Sequence, residues 1–338
     1  MKLGPILEQI FAGIELSREQ ATYLMGLMVR GEATQAQAAG IMVALRAKGV
    51  TGSELAAFAE VLKENAITVQ HEHSDLVEIV GTGGGSPSFN LSSGSSIVAA
   101  AAGAKVAKHG NRAVTSACGS ADVLEALGLD LYMDIERLAS MLDRCDIIFM
   151  LAPTHHPALR HIAPARRELG VRTVFNVLGP LANPAGVTRQ VLGVYDRSLC
   201  RNTAEALQTM GSPRALVVHG DDGLDEISPV TTTYCIRVWE GQLIEETLSP
   251  KDFGLEPLNP ADLQPADSVD GNAAIIRTAL SDPKSPRAMA LLPSSAAALW
   301  LGGVVNSLSD GAELALETIK SGNAMRKLNE LVNETHQQ

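Results

Sequence analysis

From residue 76 onward, short β-rich runs alternate with stretches of helix length, and this alternation limits the possible folds more than any other feature of the chain. The runs fall at 76–80, 105–107, 147–151, 171–175, 191–195 and 215–219. Helical stretches lie between most of them, at 95–102, 120–127, 134–144 and 198–210. Strands that take turns with helices build a mostly parallel sheet covered on both faces. Residues 231–239 and 242–248, joined at Glu240-Gly241, predict an antiparallel hairpin late in the fold. Two further helices are expected near 272–280 and 311–332. The uncharged run 288–309 contains Pro293, several serines and two glycines, which fits a buried helix better than a membrane span.

Residues 1–70 read differently. Ser17 with Gln20, Thr34 with Gln37 and Thr51 with Glu54 have capping-box spacing, and each opens an apolar pattern of period near 3.6. Three short helices cannot bury all their apolar surface alone, so part of it should meet the larger unit or a second subunit.

In an open parallel sheet, ligands bind beyond the carboxyl ends of the strands, and the informative residues stand there. After 76–80 comes Gly81-Thr82-Gly83-Gly84-Gly85-Ser86, then Asn90-Leu91-Ser92-Ser93 leading into a helix. Glycines let backbone amides approach an anion, and a helix N-terminus favours negative charge. A tight turn with a helix cap explains the same residues. The dinucleotide fingerprint is incomplete, and the G-K-[ST] of a P-loop is absent. After 105–107 comes Lys108-His109-Gly110-Asn111-Arg112, a loop whose two cations, amide and hydroxyls suit a pyrophosphate or a carboxylate, or simply water. After 215–219 come Asp225 and Glu226, plausible oxygen ligands for Mg²⁺ if they are not merely a solvated acidic face. The His155-His156 pair with His161 fits no metal-ligand spacing and reads as polar residues at a loop and helix start. Nothing marks an activating base for Cys118, and Ser92 lacks the G-x-S-x-G context of a hydrolase.

Charge narrows the partners. With 38 acids against 27 bases the chain carries −11, the wrong sign for a protein that lives on phosphate backbones. Four scattered cysteines with no C-x-x-C pair fit reduced thiols, and together with the lack of a signal-peptide pattern they predict a cytoplasmic protein.

Taken in order, GTGG at 81–84, NLSS at 90–93, KHGNRAVTSACGSADVLEALG at 108–128, LAPTHHPALRHIAPARRELGVRTVFNVLGPLANPAG at 151–186 and VVHGDDGLDEIS at 217–228 resemble the anthranilate phosphoribosyltransferases of tryptophan biosynthesis over nearly the whole chain. The resemblance implies a fold of the nucleoside phosphorylase/phosphoribosyltransferase kind. A small helical domain (1–70, completed by helices around 157–185) would join a large α/β domain (71–338). It implies a homodimer that meets through the small domain, and transfer of a 5-phosphoribosyl group from phosphoribosyl pyrophosphate to the nitrogen of anthranilate. Carried over by position, Gly81, Gly84, Ser88, Asn90, Leu91, Ser92, Ser93, Lys108, His109, Gly110, Asn111, Arg112, Ala113, Val114, Thr115, Ser116 and Ser120 resemble the phosphoribosyl-pyrophosphate contacts. Ser92, Asp225 and Glu226 resemble the Mg²⁺ ligands. Gly81, Asn111 and Arg166 resemble the anthranilate contacts, with His109 beside them to orient substrate. No classical acid or base is implied.

The chain departs from the family's pattern in three places. The acid of GTGGD is missing, and the spacing to Asn90 is one residue short, so that Gly85 comes next. Ala117 stands where a Lys is common, and Cys118 replaces the following Ser. A pyrimidine-nucleoside phosphorylase, with its K-H-S-T-G-G loop, and a non-catalytic nucleic-acid-binding relative are the competing readings.

Overall fold

The structure is a computed structural model that describes residues 1–113 and 118–337. A small helical unit accompanies a larger α/β unit built on seven strands: β1 (Val77–Gly81), β2 (Val106–Gly110), β3 (Ile147–Leu151), β4 (Arg189–Gly193), β5 (Arg214–Gly220), β6 (Thr233–Trp239) and β7 (Gln242–Leu248). They lie in the order β3-β2-β1-β4-β5-β6-β7. The first five are parallel, and β6 and β7 form the antiparallel hairpin expected at Glu240-Gly241. The order reverses between β1 and β4, the switch point where such sheets open a crevice for ligand.

Both faces are covered, as parallel strands require. Val77, Ile79, Val191, Leu216 and Val218 face one core with the helices Leu91–Ala101, Val269–Ser281 and Pro286–Gly302. Their alternating neighbours Val80, Leu192, Val194, Ala215 and Val217 face the other, shared with the N-terminal helices and Leu199–Thr209. All three capping boxes form, opening the helices Arg18–Val29, Gln35–Lys48 and Gly52–Glu64. A fourth helix, Leu3–Phe11, precedes them and buries Ile6 and Ile10. Ile162, Ala165, Phe175, Leu178 and Leu181 pack into the same core as these helices.

Two expectations fail. Residues 171–175 form no strand: the Thr173 amide donates to the Asn176 side chain at 2.9 Å, and a helix starts at Phe175 (Phe175–Leu181). Its apolar residues are satisfied against the helical unit, and β4 takes the place beside β1. The long helix expected at 311–332 is two, Leu308–Lys320 and Asn323–His336, parted at Gly322 with φ +76°. Such a backbone ends a helix, and glycine adopts it without a Cβ penalty. Among the described residues no helix is long and apolar enough to cross a membrane.

Candidate active site

The segments that follow β1, β2, β4 and β5 meet at the switch point. After β1 the chain turns through Gly83 (φ +72°) and Gly84 (φ +83°). This exposed turn is held on two sides. The Gly83 amide donates to Asp225 Oδ2 at 2.6 Å, and the Gly84 carbonyl accepts from Arg172 Nη2 at 2.5 Å. Past the turn, a Cβ on Gly85 would stand 2.7 Å from both the Asp225 amide nitrogen and the Gly223 carbonyl oxygen. A Cβ on Gly193, at the end of β4, would overlap the Asp225 carbonyl. These bare positions let the acid segment lie directly on the glycine turn. Gly85→Ala is therefore expected to cost about 1–3 kcal/mol through overpacking, read as a lower urea midpoint. The acid that the family resemblance implies has no room at residue 85, and inserting Asp between Gly84 and Gly85 is expected to shift the Mg²⁺ optimum.

Asp225 and Glu226 follow β5 across a Gly223-Leu224 turn. The Ser92 amide, in the first turn of the helix Leu91–Ala101, donates to Glu226 Oε1 at 3.1 Å. The structure thus brings Ser92 and Glu226 together. Burial, then the Asp225 charge, pushes the Glu226 carboxyl up to about 7, and burial raises Asp225 as well. Two acids held where their charge is unfavourable, with an ammonium as the nearby cation, fit a divalent ion that keeps several waters.

That ammonium belongs to Lys108, and its position corrects the sequence reading. Lys108 and His109 lie inside β2, not in the loop after it. Lys108 is 2% exposed and its Nζ donates to the Ile79 carbonyl at 2.7 Å, so it neighbours Glu226, Glu78 and Asp225 from beneath the site. Arg112 is also committed: it forks onto Glu125 at 2.6 and 2.7 Å and reaches Asp122 and the Tyr132 hydroxyl. Neither cation of the expected pyrophosphate loop therefore projects free into it.

Sequence reasoning missed Glu78. It is fully buried, and its carboxylate accepts from the His109 amide at 2.8 Å and from Gln190 Nε2 at 2.8 Å. β1 and β2 share only the register pair Val77 with Val106, whereas β1 and β4 pair from Val77 through Gly81. The seam above Val77 is closed by the side chains of Glu78 and Lys108. A lone acid in the run Val77-Glu78-Ile79-Val80 gives no sign of this.

The remaining expected residues divide. Asn111, just after β2, has its amide on Ser120 Oγ at 3.2 Å, and Asn90, before the helix Leu91–Ala101, reaches the Cys118 carbonyl through Nδ2 at 3.3 Å, so both contact the segment 118–120. Gly81 ends β1 against Asp225, Gly110 ends β2 against Ser120, and Leu91 starts the helix that carries Ser92 and the buried Ser93. Ser88 is half-buried in the loop before that helix, and the Ala113 amide is tied to Asp122 at 2.9 Å. Val114, Thr115 and Ser116, with Ala117, lie outside the described residues. Burial pushes the Cys118 thiol up to about 11, away from the thiolate form.

Arg166, on the helix Ala163–Leu169, lies over the Phe175 ring at 5.4 Å. Burial lowers its pKa, with no acid contributing a compensating rise. His109 and His156 stand with ring centroids 5.0 Å apart, each with an unpartnered buried Nε2. Burial, then its histidine neighbours, holds His109 down at about 3, and burial holds His156 at about 4, so both rings are neutral. The sequence reading gave His156 no role beyond a helix start.

Comparison with known proteins agrees with this architecture. Residues 4–66 match the glycosyl transferase family helical bundle domain, and residues 73–325 match the a/b domain of that family. The chain is similar to the anthranilate phosphoribosyltransferase of Thioalkalivibrio sulfidiphilus, 42% identical over 336 residues that cover 99% of each chain. It is also similar to that of Ralstonia pickettii, 43% identical over 96% of this chain and 94% of the relative. The crystal structure of the Thermus thermophilus anthranilate phosphoribosyltransferase superposes with a TM-score of 0.92 at 40% identity, covering 98% and 99% of the two chains. The Saccharomyces cerevisiae enzyme in complex with PRPP and Mg does so at 0.87 and 28%, covering 98% and 97%. On this match along nearly its whole length, the chain belongs to the anthranilate phosphoribosyltransferase family.

Proposed function

We propose that the chain transfers the 5-phosphoribosyl group of phosphoribosyl pyrophosphate to the amino nitrogen of anthranilate, as a step of tryptophan biosynthesis. The new bond joins that nitrogen to C1 of the ribose, the C1–O bond to pyrophosphate breaks with its electron pair leaving on oxygen, and the nitrogen gives up a proton. The observation that carries this reading is the meeting of the glycine turn, the Ser92 helix and the Asp225-Glu226 pair at the switch point.

The N-terminus of the helix Leu91–Ala101 beside the glycine turn favours phosphate oxygens, while the Gly83 and Ser92 amides hold the acid pair. Ser92, Asp225 and Glu226 would hold Mg²⁺, which when bound offsets the charge growing on the leaving pyrophosphate. Lys108 acts from below, as a cation beside the buried Glu226. The rest of the assigned set, from Gly81 to Ser120, serves to position the phosphoribosyl group. Arg166, half-buried and without a paired acid among the described residues, suits the anthranilate carboxylate. His109 and His156 offer neutral ring nitrogens that can take a hydrogen bond from the amine. An aromatic amine is already neutral at pH 7, so positioning and charge stabilisation suffice and no strong base is required.

The domain division we propose is 1–70, completed by 157–185, against 71–338. Phe11, Ile14 and Val43 are exposed on the N-terminal helical unit and support a homodimer formed through it. A cytoplasmic setting agrees with the scattered cysteines. A coupled assay following loss of anthranilate fluorescence, with and without phosphoribosyl pyrophosphate and Mg²⁺, tests the activity. No loss in the complete mixture would reject it. Arg166→Ala is expected to raise the KM for anthranilate about tenfold or more, from a lost charged contact of about 1.5–3 kcal/mol, and to spare that for phosphoribosyl pyrophosphate. Equal shifts in both would make Arg166 structural.

A further inference from the structure

The glycine turn is held by opposite charges on consecutive residues. Asp225 takes the Gly83 amide, and Arg172 takes the Gly84 carbonyl. Arg172 lies between the helices Ala163–Leu169 and Phe175–Leu181, far in sequence from the turn. Its guanidinium lies 4.2 Å over the Tyr195 ring, just beyond β4. That ring is tied to the same turn, because the Tyr195 amide donates to Thr82 Oγ1 at 3.0 Å. The Arg172 carbonyl accepts from Arg46 Nη1 at 2.6 Å, which anchors its backbone to the helix Gln35–Lys48. Among the described residues no carboxylate forms an ion pair with Arg172, in contrast to Arg112.

We infer that Arg172 is a positioning residue for phosphoribosyl-pyrophosphate binding, fixing the glycine turn through the Gly84 carbonyl. The inference rests on reading that turn as the phosphate site. Glycines at positive φ have many other conformations available, so an unheld turn would have to be ordered anew with each ligand. A guanidinium can lie flat on a ring while its edge donates to a carbonyl; an ammonium can do only one of these well. The neighbouring Asp225 would then be left free to rotate if the turn moved, so the hold also steadies an acid of the metal pair.

The test is steady-state kinetics of the full chain with Mg²⁺ for R172Q, R172K, Y195A and R172Q/Y195A, with thermal melts of each. R172Q is expected to raise the KM for phosphoribosyl pyrophosphate about tenfold, the scale of one lost charge-assisted bond. Its kcat and its KM for anthranilate should stay within about twofold, and R172K should recover part of the loss. Arg172 is exposed, so the melting midpoint should not move. The double variant should be little worse than R172Q, because ring and guanidinium act as a unit. Titration calorimetry with inorganic pyrophosphate and Mg²⁺ should show the same weakening. An active parent with an unchanged phosphoribosyl-pyrophosphate KM in R172Q overturns the inference alone. Equal changes in both KM values with a lowered melting midpoint also overturn it, as a structural effect. A parent that consumes no anthranilate removes the underlying reading as well.

Discussion

Replacing Asp225 by Asn and Glu226 by Gln together is expected to reduce transfer on the order of 10³-fold or more while leaving the chain at least as stable as the parent near pH 8. The two halves of this result have one cause. Burial raises both carboxyls, which means that the folded chain holds them ionised at a cost. Amides of the same shape remove that cost and can still accept from the Gly83 and Ser92 amides. Lys108 then loses two of its three acidic neighbours, which offsets part of the gain. Catalysis loses the anionic oxygens that would hold a divalent ion against the leaving group. Initial rates across a Mg²⁺ titration and urea unfolding at pH 8 measure the two effects. Retention of the parent's Mg²⁺ dependence would remove the pair from the site, and a large loss of stability would show that the acids serve the fold.

The same double variant is expected to become acid-sensitive. His109 and His156 are held at about 3 and about 4 against an ordinary 6.5, so the unfolded chain takes up protons that the folded chain refuses. Their contribution is intact above pH 6.5 and is lost as pH falls toward 4. At pH 5 that amounts to about 2 kcal/mol for each ring. Glu226 works in the opposite direction. Its folded value near 7 lies above an ordinary 4.5, so the stability it contributes rises as pH falls through 7 and is complete below 4.5. In the parent these effects oppose one another between pH 7 and 5, Glu226 offsetting about half of the loss from the two histidines. With Asp225 and Glu226 replaced, Glu78, also raised by burial, is left to oppose the histidines, and stability should fall more steeply than in the parent between pH 7.5 and 5. Adding His109→Gln and His156→Gln should flatten the profile again. Parallel pH profiles for parent and double variant would contradict this account.

What the sequence disclosed and what it hid differ in range. Capping boxes at Ser17, Thr34 and Thr51 depend on residues three apart, and each formed as read. The glycine turn after β1 and the acid pair after β5 were legible because a parallel sheet sends its functional residues to the strand ends. The run at 171–175 misled because Val-Arg-Thr-Val-Phe is as β-prone in a loop as in a strand, and its fate was settled by packing against distant helices. Arg112 read as an available cation, since nothing at its own position tells that Glu125, one helix further on, will hold it. Arg172 gave no signal at all: its partners Gly84, Tyr195 and Arg46 are gathered from three separate parts of the chain.

The seam between β1 and β2 has a consequence for how this sheet can change over generations. Main-chain ladders survive almost any substitution, because every residue but proline brings the same donor and acceptor. Above Val77 the two strands are joined by a glutamate and a lysine, so the strength of the join is heritable in the letters at positions 78 and 108, with Gln190 as the third. Those three positions should drift together or not at all, whereas neighbouring strand positions can exchange one apolar residue for another independently. A lineage could widen or narrow the floor of the crevice by point mutation there, without redrawing the topology that surrounds it.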